Sequence, residues 1–406
     1  MESTFLGINT VSFITNLFLA ASIFLFMFMM GAVMSWSERK QSAQLQDRIG
    51  ANRAAIPLPG GKKLAMWGFI NNLADAIKCL IKEDFKPKAY DMLMYNLAIF
   101  FAFIPAVLSV AVVPFAGEVN LAEMFQAWYL KWIPVLPQYF ADNLPGFTFR
   151  VQVANLNVGL LFVFAVGGMG VFGAILAGWS SNNKFSMMGA MRASAQMISY
   201  EVSMGLSLLG IIFIYQQVDI WNLVQAQTQL AWGWLPKWGI LLQPAAFFLF
   251  IAAAVAENKR MPFDLPEAES EIISGYFTEY SGFKMLLFMF AEFIEIVFVA
   301  VIVSTLFFGG YSIPYLGEHV TEIGTIIGFK WPWGGVWELS HATVVLLQLL
   351  SFTSKVLFFC WLLQQMRWSL PRFRYDQLMT LGWKYLLPLS ILNLIITIII
   401  VAVGGF

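Results

Sequence analysis

Eight apolar segments, each long enough to cross a lipid bilayer as a helix, dominate this chain. A membrane-spanning helix needs about 20 predominantly apolar residues. Hydrophobic residues make up 59% of the sequence and charged residues only 12%, a composition unlike that of an ordinary soluble domain. We therefore expect an all-α polytopic membrane protein whose residues 1–406 form one membrane domain. The predicted spans are about 11–34, 92–117, 156–178, 194–218, 238–256, 285–308, 342–366 and 385–406.

The distribution of basic residues predicts how the chain crosses the membrane, because Lys and Arg are retained on the cytoplasmic side. The connections at 35–91, 179–192, 257–284 and 367–384 hold 19 of the 24 Lys and Arg residues, and the intervening connections hold 4. This asymmetry predicts cytoplasmic large loops and two external termini. The first basic residue, Arg39, follows the first apolar segment, so that segment is expected to be a retained span rather than a signal peptide.

Several functional classes are excluded by composition and spacing. Lys+Arg and Asp+Glu both number 24, so no basic excess favours nucleic-acid binding. The cysteines, Cys79 and Cys360, are far apart, and the histidines, His319 and His341, lack ligand spacing. We therefore expect no haem, iron–sulfur or zinc site built from this chain alone.

Four charged residues lie within otherwise apolar segments: Glu201, Glu292, Glu295 and Lys355. A charge at the bilayer centre costs at least about 2.5 kcal/mol by insertion scales and must face the bundle interior or water. Glu292 and Glu295 are three residues apart and share a helix face, so both cannot ionise cheaply. One interpretation is a structural pair satisfied by Lys355 or a backbone group. We favour a path for protons.

The sequence Gly168-Met-Gly170-Val-Phe-Gly173 matches the dinucleotide-binding pattern G-x-G-x-x-G. It lies inside an apolar segment without a preceding strand or a βαβ context, so it cannot cradle a pyrophosphate. Small residues at this spacing are typical of close helix packing in membranes. We expect these glycines, with Ala174 and Gly178, to serve packing.

The cytoplasmic connections combine charge with apolar residues. Between Trp67 and Lys82, apolar residues recur at helical spacing with Asp75, Lys78 and Lys82 among them, which predicts an amphipathic helix at the membrane surface or against a partner. The 257–284 connection carries six carboxylates among aromatic residues and is rigidified by Pro262 and Pro266. A solvated charged loop is the simpler explanation, but this combination favours an acidic funnel leading into the membrane.

Motifs in all four cytoplasmic connections resemble, in order, the subunit 1 family of respiratory complex I. The matching stretches are Glu38-Arg-Lys with Gln46, Arg48, Gly50 and Asn52; Ala74-Asp-Ala-Ile-Lys; Gly178-Trp-Ser-Ser-Asn; Gly189-Ala-Met-Arg-Ala; Ile198-Ser-Tyr-Glu-Val; Ala256-Glu-Asn-Lys-Arg-Met-Pro-Phe-Asp-Leu-Pro-Glu-Ala-Glu-Ser-Glu; Ala291-Glu-Phe; and Pro371-Arg-Phe-Arg-Tyr-Asp-Gln-Leu-Met. The chain departs from the family at Ala43, Ala51, Asn72 and Glu295, the last standing where the family often has a neutral residue or His. The external loops at 118–155 and 309–341 are also longer than in compact members.

This resemblance implies a membrane subunit of proton-translocating NADH:quinone oxidoreductase in the cell inner membrane, with quinone as substrate. It implies that the chain binds no cofactor and that FMN and iron–sulfur clusters reside in partner subunits. The implied partners are the soluble quinone-module subunits and the terminal iron–sulfur subunit on the cytoplasmic side, small membrane subunits, quinone and the lipid bilayer.

The resemblance also implies roles for individual residues. Those expected to form the quinone chamber are Trp36, Arg39, Arg48, Asp264, Glu267, Glu269, Glu271, Tyr276 and Phe277. Those expected to form the proton path are Asp75, Glu201, Glu257, Glu292, Glu295 and Lys355. Arg192 is a candidate for positioning the quinone path or pairing the acids. Two alternatives remain open: the equivalent subunit of a membrane-bound hydrogenase or another quinone- or ferredoxin-linked complex, and a stand-alone ion channel or transporter.

Overall fold

The computed structural model describes residues 4–5, 8–57, 63–120, 148–231, 234–266, 273–321, 324–330 and 336–404. Helices make up most of these ranges. In chain order they are α1 (Thr10–Leu45), α2 (Phe69–Ile81), α3 (Met92–Leu108), α4 (Gly159–Ser180), α5 (Lys184–Tyr215), α6 (Ile220–Thr228), α7 (Gly239–Leu242), α8 (Pro244–Glu257), α9 (Gly282–Phe307), α10 (His341–Ser369), α11 (Tyr375–Thr380) and α12 (Leu387–Ala402).

Seven helical segments within the described residues are long and apolar enough to cross a membrane, which confirms an all-α polytopic membrane protein. The segment predicted at 238–256 differs, because it consists of the short helix α7 and the 14-residue helix α8. Gln243 separates them with a non-helical backbone, as expected for a residue before a proline, here Pro244. The eighth apolar element is therefore shorter than the other seven.

Two spans begin or end beyond their predicted bounds. Helix α1 continues past residue 34 to Leu45, and α5 begins at Lys184 rather than near residue 194. Hydropathy detects only the part of a helix that suits hydrocarbon, whereas polar residues continue a helix readily once it is nucleated. As a result, Glu38, Arg39 and Arg192 lie on helical extensions of spans rather than in loops.

The last span contains an irregular segment. A π-helical turn at Leu381–Leu386 joins α11 to α12. Pro388 lies in the first turn of α12 and has no N–H to donate to the preceding turn, which is a usual reason for local rearrangement of helical hydrogen bonds. Helix α12 exposes Leu389, Leu392 and Ile395, as expected of a surface that contacts lipid.

Short strands occur before the first span and between the spans. Antiparallel pairs join Thr4–Phe5 to Ile8–Asn9, Ile56–Pro57 to Lys63–Leu64, Ala116–Asn120 to Thr148–Val151, and Leu230–Ala231 to Leu235–Pro236. A three-stranded antiparallel sheet comprises Leu316–Thr321, Gly324–Lys330 and Val336–Glu338. Gly324–Lys330 is the central strand and pairs with both others. The longest of these strands lie in or next to two of the three connections that the basic-residue count predicts to be external, those at 118–155 and 309–341.

Helix α9 is the most buried element of the bundle and contacts α1, α3, α8 and α10. Small residues let neighbouring helices approach closely. A Cβ added to Gly173 of α4 would lie 2.8 Å from the backbone nitrogen of Ala102 of α3, and one on Gly178 would lie 2.3 Å from Cβ of Ala190. The packing role predicted for these two glycines is therefore confirmed.

Candidate functional site

Three carboxylates from different helices line one cavity inside the bundle. Glu201 comes from the middle of α5, Glu257 is the last residue of α8, and Glu295 lies at the middle of α9. This inner cavity has a volume of about 50 Å³. A buried polar site needs at least about 10–15 Å³ to hold one water molecule. The inner cavity therefore has room for several waters between carboxylates.

Glycines of α4 leave space for these acids. A Cβ on Gly168 would lie 2.7 Å from Oε1 of Glu201, and Gly170 lines the inner cavity opposite Glu295. Two glycines of the G-x-G-x-x-G pattern thus face carboxylates, whereas Gly173 serves helix packing. The predicted packing role is therefore incomplete for Gly168 and Gly170, because these two glycines also make room for the carboxylates.

The turn that follows α8 is held by a buried glutamine. Nε2 of Gln196 donates to the carbonyl oxygens of Ala256 (2.7 Å) and Phe263 (2.8 Å), which lie on either side of the turn. Gln196 is fully buried. Because breaking such bonds strands buried polar groups, this glutamine fixes the backbone that presents four consecutive polar residues, Glu257 to Arg260.

Glu292 lies one helical turn from Glu295 but has different partners. Its Oε1 accepts from the hydroxyl of Tyr276 at 3.3 Å, and its Oε2 lies 3.7 Å from an amino nitrogen of Arg260. Glu292, at 7% exposure, is buried. Lys355, the ion-pair partner that the sequence suggests for it, lies elsewhere. The pair is formed with Arg260 instead.

Glu38, on the polar extension of α1, joins three elements. One carboxylate oxygen accepts from Arg260 at 3.1 Å, and the other accepts from Arg367 at the end of α10. The side chains of Glu38 and Arg260 are 12% and 11% exposed. This buried, charge-assisted arrangement connects α1, the turn after α8, and α10, and through Arg260 it reaches Glu292.

Asp264 lies in the same turn, seven residues after the end of α8. Burial raises the pKa of Asp264 to about 6, although Arg372, whose guanidinium donates to it at 3.0 Å, acts in the opposite direction. Phe263 stacks on Phe373, with ring centroids 5.4 Å apart. These contacts attach the turn to the segment between α10 and α11.

Three cavities are related by shared lining residues. An outer cavity of about 560 Å³ is lined by Glu38, Arg39, Arg48 and Arg53 among others. Glu38 also lines a middle cavity of about 20 Å³, and Asn258 lines both the middle and the inner cavity. Polar side chains therefore stand at both junctions of this series.

The structure places the predicted chamber residues in two groups. Arg39 and Arg48 line the outer cavity, and Arg39 forms an ion pair with Asp75 of α2. Trp36 donates its indole N–H to the carbonyl of Trp67 at 3.2 Å. Asp264, Tyr276 and Phe277 lie away from that cavity's lining, Phe277 within an apolar cluster. Glu267, Glu269 and Glu271 lie outside the described residues.

Lys355 is separate from the acids. Its ammonium donates to the carbonyl oxygens of Phe308, Gly310 and Ser312 at 2.8–2.9 Å. These groups follow the end of α9, roughly 24 Å along the helix from Glu292 at 1.5 Å per residue. Arg192 of α5 has its guanidinium over the ring of Tyr375, 5.9 Å from the ring centroid.

Five residues of this site were not singled out from the sequence: Glu38, Gln196, Asn258, Lys259 and Arg260. Lys259 and Arg260 look like counter-charges of an acidic loop, and Gln196 carries no charge. A signal did exist for Glu38, which is the first charge after a charge-free span and belongs to a matching motif. The distances between helices that give the others a role are absent from the sequence.

Together the fold and the site define a class: a polytopic membrane protein with a buried series of carboxylates leading from a basic surface cavity into the bundle. The family model described as NADH dehydrogenase matches residues 18–398. The chain belongs to this NADH dehydrogenase family.

Curated relatives cover nearly the whole chain, and each is the H subunit of an NADH-quinone oxidoreductase. The one from Cytophaga hutchinsonii is 39% identical over 89% of this chain and 90% of its own length. The one from Bdellovibrio bacteriovorus is 37% identical over 94% of this chain and 95% of its own length. The one from Thermomicrobium roseum is 38% identical over 90% of both.

Proposed function

We propose that this chain is the membrane subunit of a proton-translocating NADH:quinone oxidoreductase that couples quinone reduction to proton movement. The observation that carries the proposal is the convergence of Glu201, Glu257 and Glu295 on an inner cavity with room for several waters. The inner cavity shares Asn258 with the middle cavity, which shares Glu38 with the basic outer cavity. Carboxylates buried among helices are costly and are typical of proton relays. The relatives' names favour NADH over hydrogen as the electron source.

The proposed quinone chamber lies at the cytoplasmic side. Trp36, Arg39, Arg48 and the acids Asp264, Glu267, Glu269 and Glu271 would surround the route of the headgroup with Tyr276 and Phe277. Quinone reduction consumes two electrons and two protons. Electrons would come from iron–sulfur clusters of partner subunits, reached from NADH through FMN, and the carboxylates of this chain would respond to the change in charge.

The proposed proton path runs along Glu201, Glu257, Glu292 and Glu295, with Asp75 near its entrance and Lys355 at its far end. Partners would comprise the soluble quinone-module subunits, the terminal iron–sulfur subunit and small membrane subunits. The excess of Lys and Arg in four connections supports cytoplasmic large loops and external termini in the cell inner membrane.

The direct test is Glu257→Gln in the intact complex reconstituted into vesicles. Gln keeps the shape and much of the hydrogen bonding but carries no exchangeable carboxyl proton, so we expect proton translocation per electron to fall on the order of tenfold or more. Glu118→Gln is the control, because Glu118 is an exposed partner of Arg150 on the β-hairpin opposite this site. A fully assembled Glu257→Gln complex with the wild-type proton-to-electron ratio would reject the proposal.

The chamber has its own test. A photoreactive quinone analogue should label residues within 36–53 or 257–284, because the outer cavity and the acidic turn lie there. Labelling confined to 118–155 or 309–341 would contradict the cytoplasmic location of the headgroup.

A further inference from the structure

Lys259 is a buried amine in an unusual setting. It is 5% exposed, although lysine is almost never fully buried unless it is paired. None of the ion pairs found in the described part of the chain includes it; instead its Nζ lies 3.1 Å from the hydroxyl of Tyr276. Its backbone has a φ of 54°, a left-handed conformation that is uncommon outside glycine and often marks functional sites.

Tyr276 connects this amine to a carboxylate. Its hydroxyl is 3.1 Å from Nζ of Lys259 and 3.3 Å from Oε1 of Glu292. Tyr276 is 2% exposed, and its ring packs against Phe277 and Phe288. The hydroxyl is therefore held by packing between one nitrogen and one oxygen, both within reach of its single proton.

The same three heavy atoms support two hydrogen-bond directions. With Lys259 charged, its ammonium donates to the tyrosine oxygen, and the hydroxyl donates to the Glu292 carboxylate. With Lys259 neutral and Glu292 protonated, the carboxyl donates to the tyrosine oxygen, and the hydroxyl donates to the amine. A tyrosine hydroxyl both donates and accepts, so the two states interconvert without moving a side chain.

Lys259 and the adjacent Arg260 are not equivalent. Arg260 contacts Glu38 and Glu292, but a guanidinium is not deprotonated in proteins. A lysine amine, in contrast, can act as a general base in a protein interior. Arg260 therefore supplies fixed positive charge, whereas Lys259 is the basic group of this turn that is able to accept and release a proton.

Lys259 directly follows Glu257 and Asn258, two residues that line the inner cavity. Its charge interacts with Glu257 and Glu295, which line that cavity, whereas Glu292 is outside the cavity lining. Among the described residues, the Lys259 amine contacts Tyr276, interacts through its charge with Glu257 and Glu295, and is one hydrogen bond removed from Glu292. The Lys259 amine thus lies between Glu292, which pairs with Arg260, and the cavity carboxylates Glu257 and Glu295.

We propose that Lys259 and Tyr276 form a proton relay between Glu292 and the inner cavity. In one transfer the Glu292 carboxyl gives its proton to the tyrosine oxygen while the tyrosine O–H proton passes to the Lys259 amine, leaving a carboxylate, an intact phenol and an ammonium. The ammonium then delivers a proton to the cavity carboxylates, and the amine is restored. The relay rests on the proposed function of the chain in proton translocation.

The relay is tested with Lys259→Arg and Tyr276→Phe in the intact complex. Arg keeps the charge but cannot release a proton, and Phe keeps the ring packing but removes the hydroxyl. We expect each to lower proton translocation per electron on the order of tenfold or more with an unchanged KM for quinone. Because both act on one chain of hydrogen bonds, the double variant should lose no more than either single variant.

Tyr311→Phe is the matched control. Tyr311 is also 2% exposed, and its hydroxyl accepts from Gln225 at 2.8 Å beyond the opposite end of α9. Removal of the Tyr311 hydroxyl should therefore leave proton translocation per electron unchanged. If Lys259→Arg and Tyr276→Phe translocate as many protons per electron as wild type while Glu257→Gln translocates fewer, the relay is overturned but the proposed function stands. Normal pumping in Glu257→Gln would instead reject the proposed function. Failure of both relay variants to assemble would assign the pair a structural role and overturn the relay.

Discussion

Replacing Glu38 with glutamine should destabilise the contact between α1, the turn after α8, and α10. The carboxylate accepts from Arg260 and Arg367, whose side chains are 11% and 21% exposed. An amide leaves these guanidinium groups without their shared counter-charge and directs an N–H towards one of them. Breaking a buried charge pair by removing one partner costs about 3–5 kcal/mol. We expect the lower part of this range, because Arg260 keeps Glu292 at 3.7 Å.

The measurement is the rate at which the purified complex loses this subunit on heating, because large membrane assemblies denature irreversibly. If the whole free-energy difference appears in the unfolding rate, about 3 kcal/mol corresponds to roughly a hundredfold shorter half-life. Glu118→Gln is the matched control. Its ion pair with Arg150 is 54% and 39% exposed and should contribute no more than about 1 kcal/mol. Equal half-lives for wild type and Glu38→Gln would refute this account.

Lys355→Met should leave three carbonyl oxygens without their common donor and destabilise the complex by about 1–3 kcal/mol, measured by thermal inactivation; lost pumping at wild-type stability would favour the proton-path role instead. Gly173→Ala should impair assembly, because the added Cβ would lie 2.8 Å from a backbone nitrogen, whereas Gly205→Ala, with nothing within 4 Å, should be tolerated; quantitative native gels compare them. For Asp264 the folded-state pKa is raised from 3.8 to about 6, so its stabilising contribution is complete below about pH 4 and is lost as pH rises through 6. The thermal midpoint of wild type relative to Asp264→Asn should fall over that interval, and a pH-independent difference would count against the shift.

The apolar membrane spans could be predicted from hydropathy, but the bounds of the polar helical extensions of those spans could not. The apolar segments gave the class and the approximate position of the long helices, because the cost of exposing backbone groups to hydrocarbon leaves few alternatives. That cost vanishes where a helix leaves the bilayer, so nothing in the apolar pattern marks the end of α1 at Leu45 or the start of α5 at Lys184. Glu38 was overlooked as a site residue for this reason.

In the candidate site, the cost of burying a charge could be predicted from the sequence, but the contacts between helices could not. The cost of a charge in an apolar helix identified Glu201, Glu292 and Glu295 as unusual, and the structure brings Glu201 and Glu295 to one cavity. The shared face of Glu292 and Glu295 suggested a common environment. Yet three residues turn a helix through about 300°, so the two side chains point about 60° apart, and the rotation of α9 against its neighbours decides which carboxylate meets which partner.

Pairing between helices is the information that one sequence lacks. From the sequence, the alternative to a proton path was a structural pair of Glu292 and Glu295 satisfied by Lys355 or a backbone group, and charge alone does not distinguish Lys355 from Arg260 as a partner. The backbone decides otherwise: carbonyl oxygens left free after α9 need donors, and Lys355 supplies them at Phe308, Gly310 and Ser312. A lysine that satisfies a helix end cannot at the same time neutralise an acid roughly 24 Å away. The basic group available to Glu292 therefore had to come from the turn after α8, where the sequence places two adjacent cations. The fold places Arg260 against Glu38 and Glu292, and it places Lys259 against the hydroxyl of Tyr276.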